Sequence, residues 1–413
     1  MIILYNLSIF LTRGLFKIAS LFNTKAAAFT SGRARLFKNL VTSFRENTAP
    51  VVWVHCASLG EFEQGRPLIE AFKKEKPEYK ILLTFFSPSG YEVQKHYAHA
   101  DFIFYLPWDS TSNARRFIDI TKPALAIFIK YEFWYHYANE LRRRNIPLLS
   151  VSSIFRKSQS FFKWYGGFYR DILKNFSFFF VQNDESLHLL KSIGIQNVKR
   201  SGDTRFDRVI ELTRQAAPIA IAEKFKDSQH TWVIGSCWPE DFDVLAPFIN
   251  ERENKLKFII APHEITETFI NTIQRALRVK TCRYSQAPEN IQDYTVLIVD
   301  NVGMLSRLYK LGEFAFVGGA YNQGLHNILE PACYGIPVFF GNKHYQKYQE
   351  AIDLINRGGA FEISDYADLR SKYELLMSRP ENYLIACEVT SVYVKENLGA
   401  TRVVMDSCKQ FGI

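Results

Sequence analysis

The sequence lacks the residues that build disulfide frameworks and metal centres. Six cysteines are spread over 413 residues without a CxxC pair, which indicates reduced thiols in a cytosolic protein. There is no HExxH motif, no His/Cys cluster and no pair of aspartates at metal-ligand spacing, so we predict neither a metal nor another cofactor. Solenoid repeats and low-complexity tracts are also missing. These absences argue against disulfide-rich, metal-dependent and repeat proteins.

Acidic residues are missing from the first 45 positions, which hold seven of the basic residues in a chain of net charge +9. A basic balance favours nucleic acid, anionic membranes or phosphorylated substrates without choosing among them. Residues 2–22 are apolar except for a few positions that include Arg13 and Lys17, and they have about the length of a bilayer span. Each of these charges would cost roughly 3 kcal/mol at mid-membrane.

We therefore predict that residues 1–45 form a basic, amphipathic, membrane-associated segment whose helix lies in the interface. Its lipid-facing side chains would be Ile9, Phe10, Leu15, Phe16, Leu21 and Phe22. The alternative is an amphipathic helix packed on the protein itself. We predict no cleavable signal peptide, because the two cations interrupt the apolar run and no clean cleavage site follows.

From residue 50 onwards, buried strands alternate with helices, which indicates parallel sheets covered on both faces. Predicted strands cover 51–55, 81–86, 124–129, 147–152 and 178–182, then 231–235, 257–261, 296–300, 314–318 and 337–340. The chain length favours two domains. We place the first at 46–206, a linker at 207–230 and the second at 231–396, with a final helix at about 397–413 packing back on the first.

Two Rossmann-like α/β domains of this kind bind ligands at the carboxyl ends of their strands and would face a common cleft. No GxGxxG follows the first strand, which argues against a dehydrogenase. In the first domain, Glu61 and Glu132 each follow a predicted strand and open a helix, and Gly60 would allow a sharp turn. Glu61 is then a candidate general base, or only a complement to the helix dipole. Arg205 would stabilise phosphate or carboxylate charge, or form a salt bridge with a neighbouring aspartate.

In the second domain, small residues after strand 314–318 lead to a predicted helix at 327–334, and another helix is predicted at 303–310. Two helix N-termini would offer N–H groups to a phosphate, and Glu330 would accept from ribose hydroxyls. Solvated helix starts are the alternative. His263 would contact the nucleotide or be a structural histidine.

An ordered set of motifs spans nearly the whole chain and resembles the bacterial 3-deoxy-D-manno-octulosonic acid (Kdo) transferase family. The segments that carry the resemblance are His55–Glu61, Pro67–Ile69, Ser87–Glu92, Tyr105–Asp109, Glu132–Trp134, Gln182–Asn183, Gly202–Asp207, Phe316–Gly319, His326–Asn327 and Glu330. The resemblance implies a GT-B type fold, an inverting transfer of Kdo from the donor CMP-Kdo, and a lipid A precursor as acceptor.

The resemblance also implies roles for individual residues. Glu61 falls on the general base, while Glu132 and Arg205 fall on positions that stabilise the transition state. Nucleotide contacts fall on Pro262, His263, Gly303, Met304, Leu305, Asn327, Ile328, Leu329 and Glu330. We expect the protein at the cytoplasmic side of the inner membrane, without a nucleic-acid partner.

Other functions remain compatible with the residues alone. One is a lipid-linked sugar transferase that uses a UDP-sugar, and another is a non-catalytic protein that binds anionic lipid. The aromatic and basic stretch Phe161–Lys174 would either dock the anionic acceptor or form an aromatic core helix.

Overall fold

The chain folds into two compact units in the computed structural model, which describes residues 1–214, 217–253 and 255–413. The first unit comprises Met1–Arg208 and Leu398–Ile413, and the second comprises Val209–Asn397. The linker predicted at 207–230 includes residues 215 and 216, which lie outside the described residues.

A seven-stranded parallel sheet forms the centre of the first unit, in the order β3-β2-β1-β4-β5-β6-β7. Its strands are β1 (Val51–Cys56), β2 (Lys80–Phe85), β3 (Phe102–Tyr105), β4 (Pro123–Ile129), β5 (Leu148–Ser153), β6 (Phe178–Val181) and β7 (Val198–Arg200). The chain extends the sheet from β1 towards β3 and then returns to add β4 on the other side of β1. The order therefore reverses between β1 and β4, where parallel sheets bind ligands at their carboxyl ends.

Hydrophobic cores lie on both faces of this sheet because side chains alternate along each strand. Val51 and Trp53 of β1 belong to one core, and Val52, Val54 and Cys56 belong to the other. The helices of this unit are α1 (Ile2–Ala19), α2 (Thr24–Ser31), α3 (Leu36–Phe44), α4 (Leu59–Glu75), α5 (Pro88–Gln94), α6 (Thr111–Thr121), α7 (Tyr135–Arg143), α8 (Gly167–Leu173), α9 (Asp184–Ser192) and the start of α10 (Arg205–Arg214).

Helix α1 docks on the first unit along one side and leaves its other side exposed. The Tyr5 hydroxyl donates to Asp109 over 2.5 Å, and the Phe16 ring packs on Phe29 with 4.4 Å between centroids. The exposed apolar side chains are Ile2, Ile3, Leu4, Leu7, Phe10, Leu11, Leu15 and Ile18, followed by Leu21 and Phe22. The prediction that Ile9 and Phe16 face lipid is therefore wrong, since both lie partly buried on the docked side. The helix packs on the protein and also presents a broad apolar surface.

The last helix of the chain, α19 (Ala400–Cys408), belongs to the first unit. The Asp207 carboxylate accepts the backbone N–H groups of Gly399 and Thr401, both over 2.7 Å, and so caps this helix. Val404 and Ile413 are buried in the same core as α4 and β1. The two ends of the sequence thus complete one unit.

A second seven-stranded parallel sheet forms the centre of the second unit, in the order β10-β11-β9-β8-β12-β13-β14. Its strands are β8 (Thr231–Cys237), β9 (Lys257–Pro262), β10 (Thr281–Arg283), β11 (Val296–Ile298), β12 (Phe314–Val317), β13 (Val338–Gly341) and β14 (Ala360–Ile363). Its helices are α11 (Ala220–Lys226), α12 (Pro239–Asn250), α13 (Glu267–Ala276), α14 (Leu305–Leu308), α15 (Leu329–Ala332), α16 (Gln349–Arg357), α17 (Tyr366–Met377) and α18 (Pro380–Glu396). Here the order reverses between β8 and β12.

The predicted doubly wound α/β architecture is confirmed, and the predicted strands end within one or two residues of the observed ones. Four strands were missed: β3, β7, β10 and β14. All four lie at the edges of their sheets and are only partly buried. The sequences of β7, β10 and β14 are short or carry polar residues, so they lack the continuous apolar run that marks a central strand. Strand β3 is apolar but only four residues long.

Candidate active site

Glu61 lies in the first turn of α4, directly beyond the carboxyl end of β1. Ser58, the residue before the helix, donates its hydroxyl to the Glu61 carboxylate. The positive end of the helix dipole favours a negative charge at this position. The sharp turn predicted at Gly60 is wrong, because Gly60 lies inside the first turn of the helix, without a positive φ. A Cβ on Gly60 would meet only the Ser58 hydroxyl, at 3.8 Å, so the space beside Glu61 is open.

Glu132 follows β4, the strand next to β1, and is only 13% exposed. Its Oε2 atom accepts the indole N–H of Trp134 over 2.7 Å and lies 3.1 Å from Nε2 of His55 on β1. The prediction that Glu132 opens a helix is wrong, since α7 begins only at Tyr135. Glu132 is held in the preceding loop by two ring N–H groups instead.

The thiol of Cys56 lies close enough to both carboxylates, Glu61 and Glu132, to interact with their charges. Burial, and then the charges of Glu61, Glu132 and Glu63, raise the pKa of Cys56 well above its ordinary value. Cys56 is the last residue of β1. Glu61 and Glu132 therefore both lie near the carboxyl end of β1, where the strand order of this sheet reverses.

Arg205, at the start of α10, is paired with the buried carboxylate of Asp203. Its Nε and Nη2 atoms both lie 2.8 Å from Oδ2 of Asp203. Gln64 of α4 donates to the other carboxylate oxygen over 3.1 Å. Burial opposes ionisation of Asp203, but Arg205, and then Lys130, outweigh it and lower the pKa of this carboxyl. The salt bridge allowed by the sequence is thus formed, and it ties Arg205 to the helix that carries Glu61.

In the second unit, three rings form a stack beyond the carboxyl ends of β8, β9 and β12. Trp238 stacks on His263 with 4.3 Å between centroids, and His263 lies 4.5 Å from His326. The indole N–H of Trp238 donates to Nε2 of His326 over 3.1 Å. Burial, and then His263, lower the pKa of His326 to about 4, and burial lowers that of His263. Both imidazoles are therefore mostly neutral at pH 7 and supply shape and hydrogen bonds rather than charge.

The Gly318-Gly319 pair after β12 lies against the buried carboxylate of Asp241. Oδ2 of Asp241 accepts the N–H groups of Trp238 and Gly319, both over 2.9 Å. A Cβ on Gly318 would lie 2.2 Å from the carbonyl oxygen of Ser236. Only glycine fits such a close approach of two strand ends.

The helix starts predicted around the nucleotide are shorter than the sequence indicated. The helix predicted at 327–334 is reduced to the four residues of α15, and that predicted at 303–310 to the four residues of α14 and a following 3-10 turn. Asn327 accepts the N–H of Leu329 over 3.2 Å and donates to Glu330 over 3.2 Å. The prediction of free N–H groups at this start is therefore wrong for Leu329.

The remaining residues predicted to contact nucleotide divide into exposed and core positions. Gly303 and His263 are exposed, whereas Pro262, Met304, Ile328 and Leu329 are buried, and Leu305, Asn327 and Glu330 lie between these extremes. All follow β9, β11 or β12, so they come after the carboxyl ends of the central strands; β9 and β12 flank β8, and β11 lies beyond β9. Buried members of this set can reach a ligand only through their backbone.

Four residues with clear site geometry were not predicted as site residues: His55, Trp238, Asp241 and His326. Trp238 and Asp241 stand at the start of α12, directly after β8, which is the same strand-to-helix position that identified Glu61. Their partners lie far away in the sequence, so no local pattern reveals the stack. Across the described ranges, no group of three or more His, Cys, Asp or Glu side chains could hold a metal ion.

Solved structures with the same architecture define the class of this fold. The UDP-GlcNAc 2-epimerase from Neisseria meningitidis superposes with a TM-score of 0.61 at 15% identity, covering 87% of this chain and all of that one. MurG from Acinetobacter baumannii superposes with a TM-score of 0.56 at 12% identity, covering 88% and 99%. The chain therefore has two Rossmann-like units of the GT-B type.

Comparison of sequences indicates which GT-B proteins this chain resembles. Residues 32–208 match the family described as 3-Deoxy-D-manno-octulosonic-acid transferase (kdotransferase). The 3-deoxy-D-manno-octulosonic acid transferase of Aquifex aeolicus (strain VF5) is 29% identical over 343 residues, which cover 81% of this chain and 88% of that one. Over most of its length the chain is therefore similar to Kdo transferases, which are glycosyltransferases.

Proposed function

We propose that this protein transfers Kdo from CMP-Kdo to a hydroxyl of a lipid A precursor and inverts the anomeric carbon. Similarity to Kdo transferases supports the sugar that is transferred. The observation that carries the chemistry is the pair of carboxylates, Glu61 and Glu132, at the point where the strand order of the first sheet reverses. Parallel sheets bind their ligands there.

Glu61 acts as the general base in this proposal. It takes the proton of the acceptor hydroxyl while that oxygen bonds to the anomeric carbon and the bond to the CMP phosphate breaks. The open space beside Gly60 leaves room for an acceptor. The Ser58 hydroxyl, which donates to Glu61, fixes the direction of the carboxylate before the substrate arrives.

Glu132 and Arg205 stabilise the charges that develop during the transfer. The sugar gains positive charge as its bond to the phosphate stretches, and the Glu132 carboxylate stabilises that charge. The departing phosphate gains negative charge, which the Arg205 guanidinium stabilises. Asp203, which accepts two hydrogen bonds from the Arg205 side chain, limits the freedom of this guanidinium.

The second unit binds the CMP part of the donor in this proposal. Gly318 and Gly319 let the loop after β12 pack closely on Ser236 and Asp241, and the stack of Trp238, His263 and His326 offers a flat surface to the base. Glu330, beside Asn327, accepts from the ribose hydroxyls. The two neutral histidines do not supply the positive charge for the phosphate, so backbone N–H groups and Arg205 carry more of that task.

Helix α1 holds the protein on the membrane that contains the acceptor. By length and hydropathy this helix is able to cross a membrane, but its docked side argues for a position along the surface. A cavity of about 410 Å³ beside it is lined by the cations Arg13, Lys17 and Arg33 and by no carboxylate. Such a lining suits the phosphates of lipid head groups. We propose that the protein lies on the cytoplasmic face of the inner membrane, where it meets CMP-Kdo from the cytosol.

The test of the base is Glu61→Gln, assayed with CMP-Kdo and a tetra-acylated lipid A precursor by product mass. We expect transfer to fall at least about a thousandfold, because the base is lost, while CMP still binds and outcompetes UDP. Glu63→Gln on the same helix is the matched control and should keep activity. Transfer by the Glu61→Gln protein near the wild-type rate would contradict the role of this residue.

The membrane role is tested on the exposed side of α1. The double change Phe10→Ser and Leu15→Ser removes two large exposed side chains and should weaken sedimentation with anionic vesicles about tenfold or more. The control pair, Leu375→Ser and Leu384→Ser, removes exposed apolar side chains from the second unit and should leave sedimentation unchanged. Equal losses in both pairs would argue against α1 as the anchor.

A further inference from the structure

A buried series of hydrogen bonds leads from the core of the first unit to Glu132. The indole N–H of Trp53 donates to the Thr84 hydroxyl over 2.7 Å. That hydroxyl lies 2.9 Å from Nδ1 of His55, and Nε2 of His55 lies 3.1 Å from Oε2 of Glu132. Trp53, Thr84 and His55 are all completely buried. Water therefore does not compete with these bonds.

Counting donors determines which nitrogen of His55 carries its proton. An indole nitrogen only donates, so the Thr84 oxygen accepts from Trp53 and has one proton of its own to give. The described residues offer that proton one hydrogen-bonded acceptor, Nδ1 of His55. A buried hydroxyl without an acceptor is costly. Nδ1 is then the unprotonated nitrogen, and Nε2 carries the proton that points at Glu132.

At the end of the series, Glu132 receives two donors on one oxygen. Its Oε2 accepts from His55 and from the indole N–H of Trp134. None of the hydrogen bonds recorded among the described residues involves its Oε1 atom. Two donors on one oxygen fix the plane of the carboxylate, which leaves Oε1 to face a ligand.

We infer that His55 is a positioning residue for Glu132, and that Trp53 and Thr84 set the tautomer through which it acts. The inference rests on the proposed function, since it gives the Glu132 carboxylate its direction for the glycosyl transfer. Two other ionisable side chains, Tyr5 and Cys56, share electrostatic contacts with this carboxylate. Thr84 touches neither of them by hydrogen bond, so a change there acts through His55.

The decisive variant is Thr84→Val, which removes the hydroxyl and keeps the shape of the side chain. Nδ1 of His55 also lies 3.1 Å from the carbonyl oxygen of residue 84. In the variant the proton moves to Nδ1 and donates to that carbonyl, so a bare Nε2 faces Glu132. We expect kcat to fall about tenfold, as for the loss of one hydrogen bond to a charged group, with KM for CMP-Kdo unchanged.

Two further variants separate positioning from a general loss of stability. Thr84→Ser restores the hydroxyl and should recover the wild-type kcat. Thr121→Val removes another buried hydroxyl, one that donates to the Phe117 carbonyl over 2.9 Å, and should lower only the melting temperature. A Thr84→Val protein with the wild-type kcat, or a Thr121→Val protein with the same kcat loss, would overturn the inference.

Nitrogen-15 NMR of histidine-labelled protein tests the tautomer without any assay of transfer. The His55 signals, assigned by their loss in His55→Gln, should show an unprotonated Nδ1 in the wild type and in Thr84→Ser. They should show a protonated Nδ1 in Thr84→Val. A protonated Nδ1 in the wild type would overturn the inference. If the wild-type protein has the expected tautomer but does not transfer Kdo, the proposed function is wrong. The positioning of Glu132 by His55 is then still supported.

Discussion

Asp241→Asn should make the protein more stable at neutral pH, although it replaces a buried carboxylate in the second unit that accepts two hydrogen bonds. Asp241 is completely buried. Its Oδ2 atom accepts two backbone N–H groups, while its buried Oδ1 has no hydrogen-bond partner among the described residues. Burial, only partly offset by those N–H groups, raises the pKa of Asp241 from 3.8 to about 6. The fold therefore favours the protonated form.

The sign and size of the effect follow from that difference. Below about pH 4 the carboxyl is protonated in both folded and unfolded chains, and its contribution to stability is fully present. Between about pH 4 and about pH 6 the unfolded chain loses this proton while the folded chain keeps it, so stability falls. Above about pH 6 the folded chain loses the proton too, and the loss of stability is complete. The loss is about 3 kcal/mol at about pH 8 and about 1 kcal/mol at about pH 4.5, which leaves a difference of about 2 kcal/mol between them.

Asparagine keeps an oxygen for the two N–H groups and cannot ionise. Any constant cost of its amide cancels when the two pH values are compared. The gain of Asp241→Asn over the wild type should thus be larger by about 2 kcal/mol at about pH 8 than at about pH 4.5, or roughly 4–8 °C in melting temperature. Asp243→Asn, an exposed change on the same helix, should show no such dependence. A gain that is equal at both pH values, or larger at the lower one, would refute this reasoning.

Three further changes have defined outcomes. Gly319 has a φ of +95°, and a Cβ there would lie 2.5 Å from a carbonyl oxygen. Gly319→Ala should therefore lower the free energy of unfolding by about 3 kcal/mol and weaken CMP binding. Gly303→Ala, where the added Cβ meets open space, should cost only about 1 kcal/mol, as measured by thermal unfolding. Arg205→Gln leaves the buried Asp203 carboxylate without the guanidinium that pairs with it, and should lower the free energy of unfolding, measured with denaturant, by about 3 kcal/mol. Arg205→Lys keeps a positive charge and should lower it clearly less. Trp164→Ser, at a side chain 92% exposed, should weaken vesicle binding several-fold without lowering the melting temperature.

The aromatic stretch that carries Trp164 contains both rings packed on the core and exposed rings, and its docking of the acceptor stays a prediction. Phe161, Phe162 and Phe168 pack against the core of the first unit. Trp164 and Tyr165 between them are exposed. Periodicity alone did not separate these two groups, because an irregular turn at Ser160–Phe162 precedes the helix. Its composition predicted an aromatic segment, and only the backbone path decides which rings face outward.

The central strands were predictable because each is buried on both faces and reads as an unbroken apolar run. The same signal located Glu61, Glu132 and His263, since a charged or polar residue directly after such a run lies at the carboxyl edge of the sheet. Helices α14 and α15 were overestimated because their sequences are apolar at helical spacing, yet nearby loops end them after one turn. The stack of Trp238, His263 and His326 joins loops that follow different strands, so it depends on strand order, which local sequence does not encode. The catalytic and nucleotide-binding roles stay predictions.

The return of α19 to the first unit has a consequence for the order in which the protein is made. Synthesis proceeds from the N-terminus, and domains usually fold as they leave the ribosome. Here the second unit is complete once residue 397 has emerged, whereas Val404 and Ile413, which fill the core beneath α4, emerge only afterwards. The first unit is thus finished after the second one. A nascent chain stalled before residue 400 should carry a protease-resistant second half and a first half that is still open to cleavage.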